Sequence, residues 1–432
     1  MSPLMPLREV PAQTGFSKND VLVVFGEVFS RGYVNGLIDR AAEEGLKIIY
    51  STVGRRDTDL TLRALNPAEL EEKNQSPLIN VPLEAGFDLE PSSSGLSPVD
   101  QIKDLKMSAW NDAKIDWKQV EESRQNGVSR FRNAVQSFMQ ELESHIPEGA
   151  NVLFVHTMAG GFPRAKVVMP VANRVFKGFG PRYQSSKEFW ESELGRLCDI
   201  SFNEVTGETF RHLIELSRPL REKIESRGNK VRYVAYGYHG TEVLHGDEYK
   251  WQSYSPYLQG WAKLRLEAVA KTAWNDGIKA TVYNAPEILT NSSSIFLGVE
   301  VVLYPLIGAL RKEGASSPRI KSLLKECQSL LKPEHSLDEA YGLTQNYLKN
   351  EVVKTWPHLE GWPQHNGPEQ MELMRNASSQ LIEMHKDTKA LMTAPLSEAV
   401  FRACGEAMFQ ESGEPRQPVW WVGHDLVAKL TR

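Results

Sequence analysis

A tyrosine and a lysine stand close together in the segment 231–263, and their side chains could act as a catalytic pair. Tyr254 precedes Lys263 by nine positions. A phenol near an ammonium group can donate a proton to an oxyanion, because the cation lowers the pKa of the phenol. Tyr238 and Tyr257 are competing proton donors in the same segment. The alternative is that Tyr254 and Lys263 are ordinary surface residues of a loop and a helix.

The elements that must position this pair are predicted to be parallel strands and helices. An apolar run at Val231–Ala235 predicts a buried strand just before the tyrosines. Similar runs predict further strands at Asp20–Phe25, Leu46–Thr52, Leu78–Leu83, Asn151–Val155 and Ile278–Tyr283. The first two of these runs flank a segment with helical spacing, which makes a βαβ unit. The pattern predicts an α/β fold with a Rossmann-type doubly wound parallel sheet.

The chain is predicted to divide into three parts. Residues 1–19 are expected to be an N-terminal arm, and residues 20–310 a dinucleotide-binding domain with insertions around 66–118 and 162–207. Residues 311–432 are expected to be a helical C-terminal extension, either a cap or an oligomer contact. Its helices are predicted near 317–331, 336–354, 368–392 and 396–410.

The turn after the first strand carries three glycines where dinucleotide phosphates usually bind. Gly26, Gly32 and Gly36 would let the backbone approach a pyrophosphate, and Ser30 and Arg31 lie between them. Their spacing differs from the usual G-x-G-x-x-G pattern. Glycines of an ordinary strand-to-helix loop are the alternative.

Residues after the second and fourth strands bear on the choice of cofactor. Arg55 and Arg56 follow the second strand, where guanidinium groups suit the 2′-phosphate of NADP(H). NAD(H) stays the alternative cofactor, and an exposed basic turn is the structural alternative. Met158, Ala159 and Gly160 follow the fourth strand in a turn of mostly small residues. Such a turn would let the ribose and nicotinamide lie against the backbone.

Composition excludes several other classes of protein. The net charge is −5 and there is no long basic run, which argues against nucleic acid as a partner. The three cysteines are far apart, and the ten histidines are scattered without metal-ligand spacing, so we expect neither a disulfide framework nor a metal site. No signal peptide and no membrane span are predicted, and a cytoplasmic location is the default expectation.

These segments together resemble the short-chain dehydrogenase/reductase superfamily, and within it the single-chain trans-2-enoyl-CoA and enoyl-acyl-carrier-protein reductases. The resemblance rests on the Gly26–Gly45 loop and helix, the Tyr238–Glu242 stretch, the Tyr-x8-Lys spacing and the segment Pro286–Leu310. It implies that Pro286 and Ile288 contact the cofactor. It also implies that the apolar residues 295–310 form a mobile flap over the substrate, whereas their hydrophobicity alone favours a core helix.

The resemblance implies that the protein reduces the C=C bond of an enoyl thioester with NAD(P)H. The substrate would be a small-molecule acyl thioester such as an acyl-CoA, or an acyl carrier protein, and the chain could form a homo-oligomer. Lys263 would hold the nicotinamide ribose, and Tyr254 or Tyr238 would stabilise the thioester oxyanion. A carbonyl reductase or alcohol dehydrogenase of the short-chain type is the alternative enzyme. A catalytically silent dinucleotide sensor or scaffold is the alternative outside enzymes.

Overall fold

The computed structural model describes residues 4–237, 240–253, 258–290, 293, 296–354 and 365–431. Its centre is a sheet of seven parallel strands in the order β11-β10-β7-β6-β1-β2-β5. These strands are β1 (Val21–Phe25), β2 (Lys47–Thr52), β5 (Leu78–Pro82), β6 (Val152–His156), β7 (Val231–Gly237), β10 (Ala280–Asn284) and β11 (Val419–Trp421). The predicted Rossmann-type α/β fold is confirmed.

Helices cover both faces of this sheet and also form the C-terminal part of the chain. The first nine helices are α1 (Tyr33–Glu43), α2 (Pro67–Lys73), α3 (Pro98–Ile102), α4 (Trp117–His145), α5 (Val168–Lys177), α6 (Ser186–Glu191), α7 (Glu193–Phe202), α8 (Thr209–Leu216) and α9 (Arg218–Glu225). The others are α10 (Leu258–Asn275), α11 (Val299–Leu303), α12 (Leu306–Gly314), α13 (Pro318–Leu330), α14 (Leu337–Lys349), α15 (Glu351–Lys354), α16 (Pro368–Glu383), α17 (Thr393–Ser412) and α18 (His424–Leu430).

The strands are apolar on both faces because each face is covered by helices. In β1, Leu22 and Val24 belong to one buried cluster, which also contains residues of α1 and α17. Val21, Val23 and Phe25 belong to a second cluster on the other face, with residues of α4, α8 and α10. Successive side chains of a strand point to opposite faces, so a continuous apolar run is what a doubly covered sheet requires.

The C-terminal part of the chain packs directly on the sheet. The helices predicted there are present, and β11 extends the sheet beside β10, with Val282 opposite Val419. Helix α17 lies against α1 so closely that a Cβ added at Gly36 would be 2.0 Å from the carbonyl oxygen of Phe401. Gly36 therefore serves helix packing, which differs from the phosphate contact predicted for it.

Two short hairpins lie outside the main sheet. Strands β8 (Gly240–His245) and β9 (Glu248–Ser253) pair antiparallel around the turn at Gly246 and Asp247. The sequence pattern predicted no strand in this stretch. Strands β3 (Arg55–Arg56) and β4 (Leu62–Arg63) form the second hairpin, which follows β2.

Three short helical segments of other types connect the α-helices. Residues Met107–Asp112 and Gly180–Arg182 form 3-10 helices. Residues Asn203–Glu208 form a π-helix that joins α7 to α8 without a break. Within the described ranges, none of the helices combines the length and apolar character that crossing a bilayer would need.

Candidate functional site

The candidate site lies at the carboxyl ends of the central strands. The chain order reverses between β1 and β6, and the crevice at such a reversal is where open α/β sheets bind ligands. A cleft of about 270 Å³ occurs there, lined by residues that follow β1, β2, β5 and β6. Its lining includes Glu27, Val53, Glu84, Asp88, Thr157 and Met158. Met158 and Ala159, both predicted to bind the cofactor, lie in this lining.

A buried carboxylate, Glu27, stands directly after Gly26 at one wall of the cleft. Arg55 donates to both of its carboxylate oxygens, at 3.0 and 3.1 Å, and Lys73 also pairs with it. Burial opposes ionisation of this carboxyl, but the hydrogen bonds from Arg55 and Lys73 outweigh it and hold the pKa of Glu27 below its usual value. Glu27 therefore carries a negative charge at neutral pH, and Arg55 is already paired.

Arg56 is likewise held by carboxylates. Its guanidinium lies 2.6 Å from Glu84 and 3.1 Å from Glu90. Arg164 binds Glu84 and Asp88 from another side of the cleft, at 3.1 and 2.6 Å. The two arginines predicted to receive a 2′-phosphate are thus part of an ion-pair network, and acidic groups of that network face the cleft.

Lys263 is buried on the inner side of α10. Burial lowers its pKa from 10.5 to about 7, because an ammonium group loses solvation there. His156, the last residue of β6, is close enough to be affected by it. Burial and then the positive charge of Lys263 hold the pKa of His156 well below its usual value. The imidazole is therefore neutral at working pH, and the lysine amine titrates near neutrality.

The neutral His156 is oriented by the helix that follows the π-helical segment. Its Nε2 lies 2.8 Å from the hydroxyl of Thr209. That hydroxyl donates its own proton to the carbonyl of Val205, at 2.7 Å. The hydroxyl must therefore accept from His156, which places the imidazole proton on Nε2.

A second polar residue of α10 connects this helix to the end of β10. Glu267 lies one turn after Lys263 and accepts a hydrogen bond from the amide of Asn284, at 3.0 Å. Both residues are buried. The contact fixes α10 against the carboxyl end of the sheet, and so helps to set the position of Lys263.

The other predicted site residues have varied surroundings. Ser30 and Arg31 are exposed in the loop between β1 and α1, and Gly32 precedes the first residue of α1. The carbonyl of Pro286, after β10, accepts a hydrogen bond from the hydroxyl of Tyr33. Ile288 is buried in the main core. Tyr238, Tyr254 and Tyr257 lie outside the described residues, so their predicted roles stay predictions.

Several residues around the cleft were missed by sequence reasoning. Glu27 could have been noticed as an acidic residue directly after the first glycine of the loop. Its partners Arg55 and Lys73 are 28 and 46 residues away, and nothing in the sequence indicates those contacts. Glu267 lies four residues after Lys263, which is the helical spacing that places two side chains on one face.

Comparison with known proteins agrees with this architecture. A family model described as enoyl-acyl carrier protein reductase FabMG matches residues 3–431. An apo structure of FabMG is 46% identical and has a TM-score of 0.96, covering 100% of this chain and 98% of that chain. A FabMG structure with NADH bound is 40% identical and has a TM-score of 0.81, with coverage of 100% and 99%. No curated protein matches this chain.

The match extends over nearly the whole chain, including the C-terminal part, which lies outside the segments that carried the resemblance. It confirms the predicted kinship to enoyl reductases and the prediction of an oxidoreductase acting on an enoyl thioester with a nicotinamide dinucleotide. The chain belongs to the FabMG family of enoyl-acyl carrier protein reductases.

Proposed function

We propose that this protein uses NADH to reduce the C=C bond of an enoyl thioester carried by acyl carrier protein. The observation that carries the proposal is the match to the reductase family model over residues 3–431, because it covers nearly the whole chain. The buried Lys263, at the carboxyl ends of the strands, supports the same conclusion from the geometry. Membership of the wider short-chain superfamily is supported by the sheet order.

The charges around the cleft favour NADH over the NADPH preferred on sequence grounds. A 2′-phosphate would have to compete with Glu27 for Arg55, and with Glu84 and Glu90 for Arg56. Ribose hydroxyls, unlike a phosphate, can donate hydrogen bonds to a carboxylate such as Glu27 in the lining of the cleft. A FabMG structure 40% identical to this chain is described with NADH bound, which points the same way.

The residues around the cleft suit a dinucleotide. Gly26 and Gly160 have φ angles of +122° and +118°, which fit turns that bring backbone close to a ligand. We assign the pyrophosphate to the end of the loop after Gly26, residues Ser30–Gly32 at the N-terminus of α1, and the ribose and nicotinamide to Met158, Ala159 and Gly160. When bound, the reduced nicotinamide supplies the hydride that reaches the β-carbon of the substrate. Pro286 and Ile288 would border the nicotinamide from the loop after β10.

Lys263 acts on the nicotinamide ribose in this proposal. An amine with a pKa of about 7 can serve either as a hydrogen-bond donor or as a cation near neutrality. Negative charge develops on the thioester oxygen during reduction, and a tyrosine hydroxyl stabilises it. Tyr254 is assigned this role, with Tyr238 and Tyr257 as the competing residues. The α-carbon then receives a proton, so the product is the saturated thioester.

The proposal is tested by following NADH oxidation at 340 nm with four mixtures. These contain crotonyl-acyl carrier protein, crotonyl-CoA, a simple ketone, or no acceptor. We expect turnover with the thioesters and faster turnover with the carrier-bound one. Turnover with the ketone alone would replace the proposal by carbonyl reduction. Nucleotide binding without turnover in any mixture would favour a sensor.

A further inference from the structure

We propose that Ser51 and Thr206 are positioning residues that fix the two loops flanking the cleft in the shape that binds the dinucleotide. The inference rests on the proposed function, because it takes NADH as the ligand of this cleft. Neither residue was singled out by its sequence context. Both act through the backbone of a glycine that follows the carboxyl end of a central strand.

Ser51 holds the loop after β1. Its hydroxyl accepts a hydrogen bond from the backbone N–H of Gly26, at 2.9 Å, and donates to the carbonyl of the same residue, at 3.1 Å. Ser51 lies on β2 and is 1% exposed. One buried hydroxyl thus satisfies both backbone polar groups of a residue whose φ is +122°.

Thr206 holds the loop after β6 in the same way. Its hydroxyl accepts from the backbone N–H of Gly160, at 3.2 Å, and donates to the carbonyl of Gly160, at 3.0 Å. Thr206 is fully buried, and Gly160 has a φ of +118°. A Cβ added to Gly160 would meet no atom of the described residues within 4 Å.

The π-helix explains how Thr206 reaches this loop. A π-helical turn inserts an extra residue into a helix and often occurs at functional sites. Here the π-helix is Asn203–Glu208 and contains Thr206. The next residue, Gly207, packs against the side chain of Arg265 on α10. Glu208 pairs with the same arginine. Because Lys263 is two residues before Arg265, the π-helix contacts both the cofactor loop and the lysine-bearing helix.

Loops held by side-chain hydroxyls are ordered before the ligand arrives. Without the hydroxyl, the N–H and C=O of the glycine lose their partner, and the loop has other conformations available. Nucleotide binding must then order the loop, which weakens binding. The kcat at saturating NADH should change much less, because neither hydroxyl is proposed to touch the reacting atoms.

The test measures the Kd for NADH by isothermal titration, together with kcat and KM, for four variants of the full chain. Thr206→Val and Ser51→Ala each remove one hydroxyl, and we expect Kd and KM for NADH to rise about tenfold, as for one or two lost buried hydrogen bonds. Thr206→Ser keeps the hydroxyl and should bind within about twofold of the wild type. Thr272→Val is the matched control, since Thr272 is exposed and its hydroxyl donates to the carbonyl of Ala268 within α10.

The outcomes separate this inference from the proposed function. A wild-type chain that does not bind NADH would overturn the proposed function itself. Wild-type binding that is unchanged in both Thr206→Val and Ser51→Ala would overturn only the role of the hydroxyls. A lower melting temperature with an unchanged Kd in the folded fraction would also contradict a positioning role. So would a loss of NADH affinity in Thr206→Ser as large as that in Thr206→Val.

Discussion

Glu27 and Arg55 form an ion pair with two hydrogen bonds at one wall of the cleft. Nη2 and Nη1 of Arg55 each donate to one carboxylate oxygen of Glu27, at 3.0 and 3.1 Å. Glu27 is buried, whereas 38% of the Arg55 side chain is exposed. Arg55, whose guanidinium would suit a phosphate, is therefore already paired with the carboxylate of Glu27. This relationship determines which dinucleotide the cleft is expected to prefer.

Replacing Glu27 should change the cofactor preference. Glu27→Gln removes the charge that holds Arg55, so the arginine becomes available to a 2′-phosphate. We expect the ratio of NADPH to NADH affinity to rise by about tenfold or more, because a hydrogen bond to a charged group contributes about 1.5–3 kcal/mol. Titration with both nucleotides measures it. Glu44→Gln, which breaks an ion pair with Arg40 on α1, is the control. An unchanged ratio in Glu27→Gln would contradict this view of the pair.

The cofactor preference shows where sequence reasoning stops. The two arginines after the second strand were predicted to bind a 2′-phosphate, but their partners come from other segments of the chain. Glu27 precedes Arg55 by 28 residues, and Glu84 follows Arg56 by the same distance. The charge that a phosphate would meet depends on these tertiary contacts. Only the structure could therefore show that both guanidinium groups are occupied.

Lys263 should be needed for both nucleotide binding and turnover. Lys263→Met keeps the apolar stem but removes the amine, and we expect turnover to fall by about 10²–10⁴-fold, because the proton-donating phenol then loses the cation that lowers its pKa. The Kd for NADH should rise as well, because the amine is assigned to the ribose. Stopped-flow and titration measurements check the two effects. Lys271→Met, two turns further along α10, should leave both unchanged.

Variants of the tyrosines should separate the effect on turnover from the effect on NADH affinity, whereas Lys263→Met changes both. Tyr254→Phe removes only a hydroxyl, so it should lower turnover by about 10²–10⁴-fold while NADH affinity stays the same. Tyr238→Phe and Tyr257→Phe are the internal controls. If Tyr257→Phe is inactive and Tyr254→Phe is fully active, the spacing between Tyr254 and Lys263 has identified the wrong phenol.

Burial of Lys263 should make stability depend on pH. Its pKa is about 7 in the folded protein and 10.5 for an exposed lysine. Between these values the unfolded chain binds more protons, so the contribution of this residue to the free energy of unfolding rises with pH. Lys263→Met removes that contribution. Urea unfolding at pH 6.5 and pH 9.5 should show the variant gaining stability over the wild type mainly at the lower pH. An equal difference in stability between the variant and the wild type at both pH values would mean that burial does not lower the pKa of Lys263.

Gly36 should matter for stability rather than for the cofactor. The added methyl of Gly36→Ala would meet the carbonyl oxygen of Phe401 at 2.0 Å, so α1 and α17 must separate. Overpacking of this kind costs about 1–3 kcal/mol. Thermal unfolding should show the loss, and Gly405→Ala, on the other side of the contact, should show it too. Gly32→Ala is the control, since a Cβ there meets no atom within 4 Å in the part of the chain that the structure describes. Weaker NADH binding in Gly36→Ala without a loss of stability would restore the phosphate role.

The main strands could be predicted because burial on both faces leaves a continuous apolar run. Val21–Phe25 and Val152–His156 are such runs, and both are central in the sheet. Strand β11 could not be found this way, because three residues are too few for a pattern. The hairpin of β8 and β9 had a usable signal in Gly246-Asp247, a two-residue turn in which Gly246 has a φ of +62°.

The direct test of the central claim is the fate of the hydride. NADH that carries deuterium at the transferred position of C4 is incubated with crotonyl-acyl carrier protein, and the released acyl group is examined by mass spectrometry and NMR. Reduction of the C=C bond predicts a butyryl product with one deuterium at its β-carbon and a solvent proton at its α-carbon. Deuterium on the carbonyl carbon, or a labelled cofactor that stays unconsumed while it is bound, would contradict the assignment of this protein as an NADH-dependent enoyl reductase.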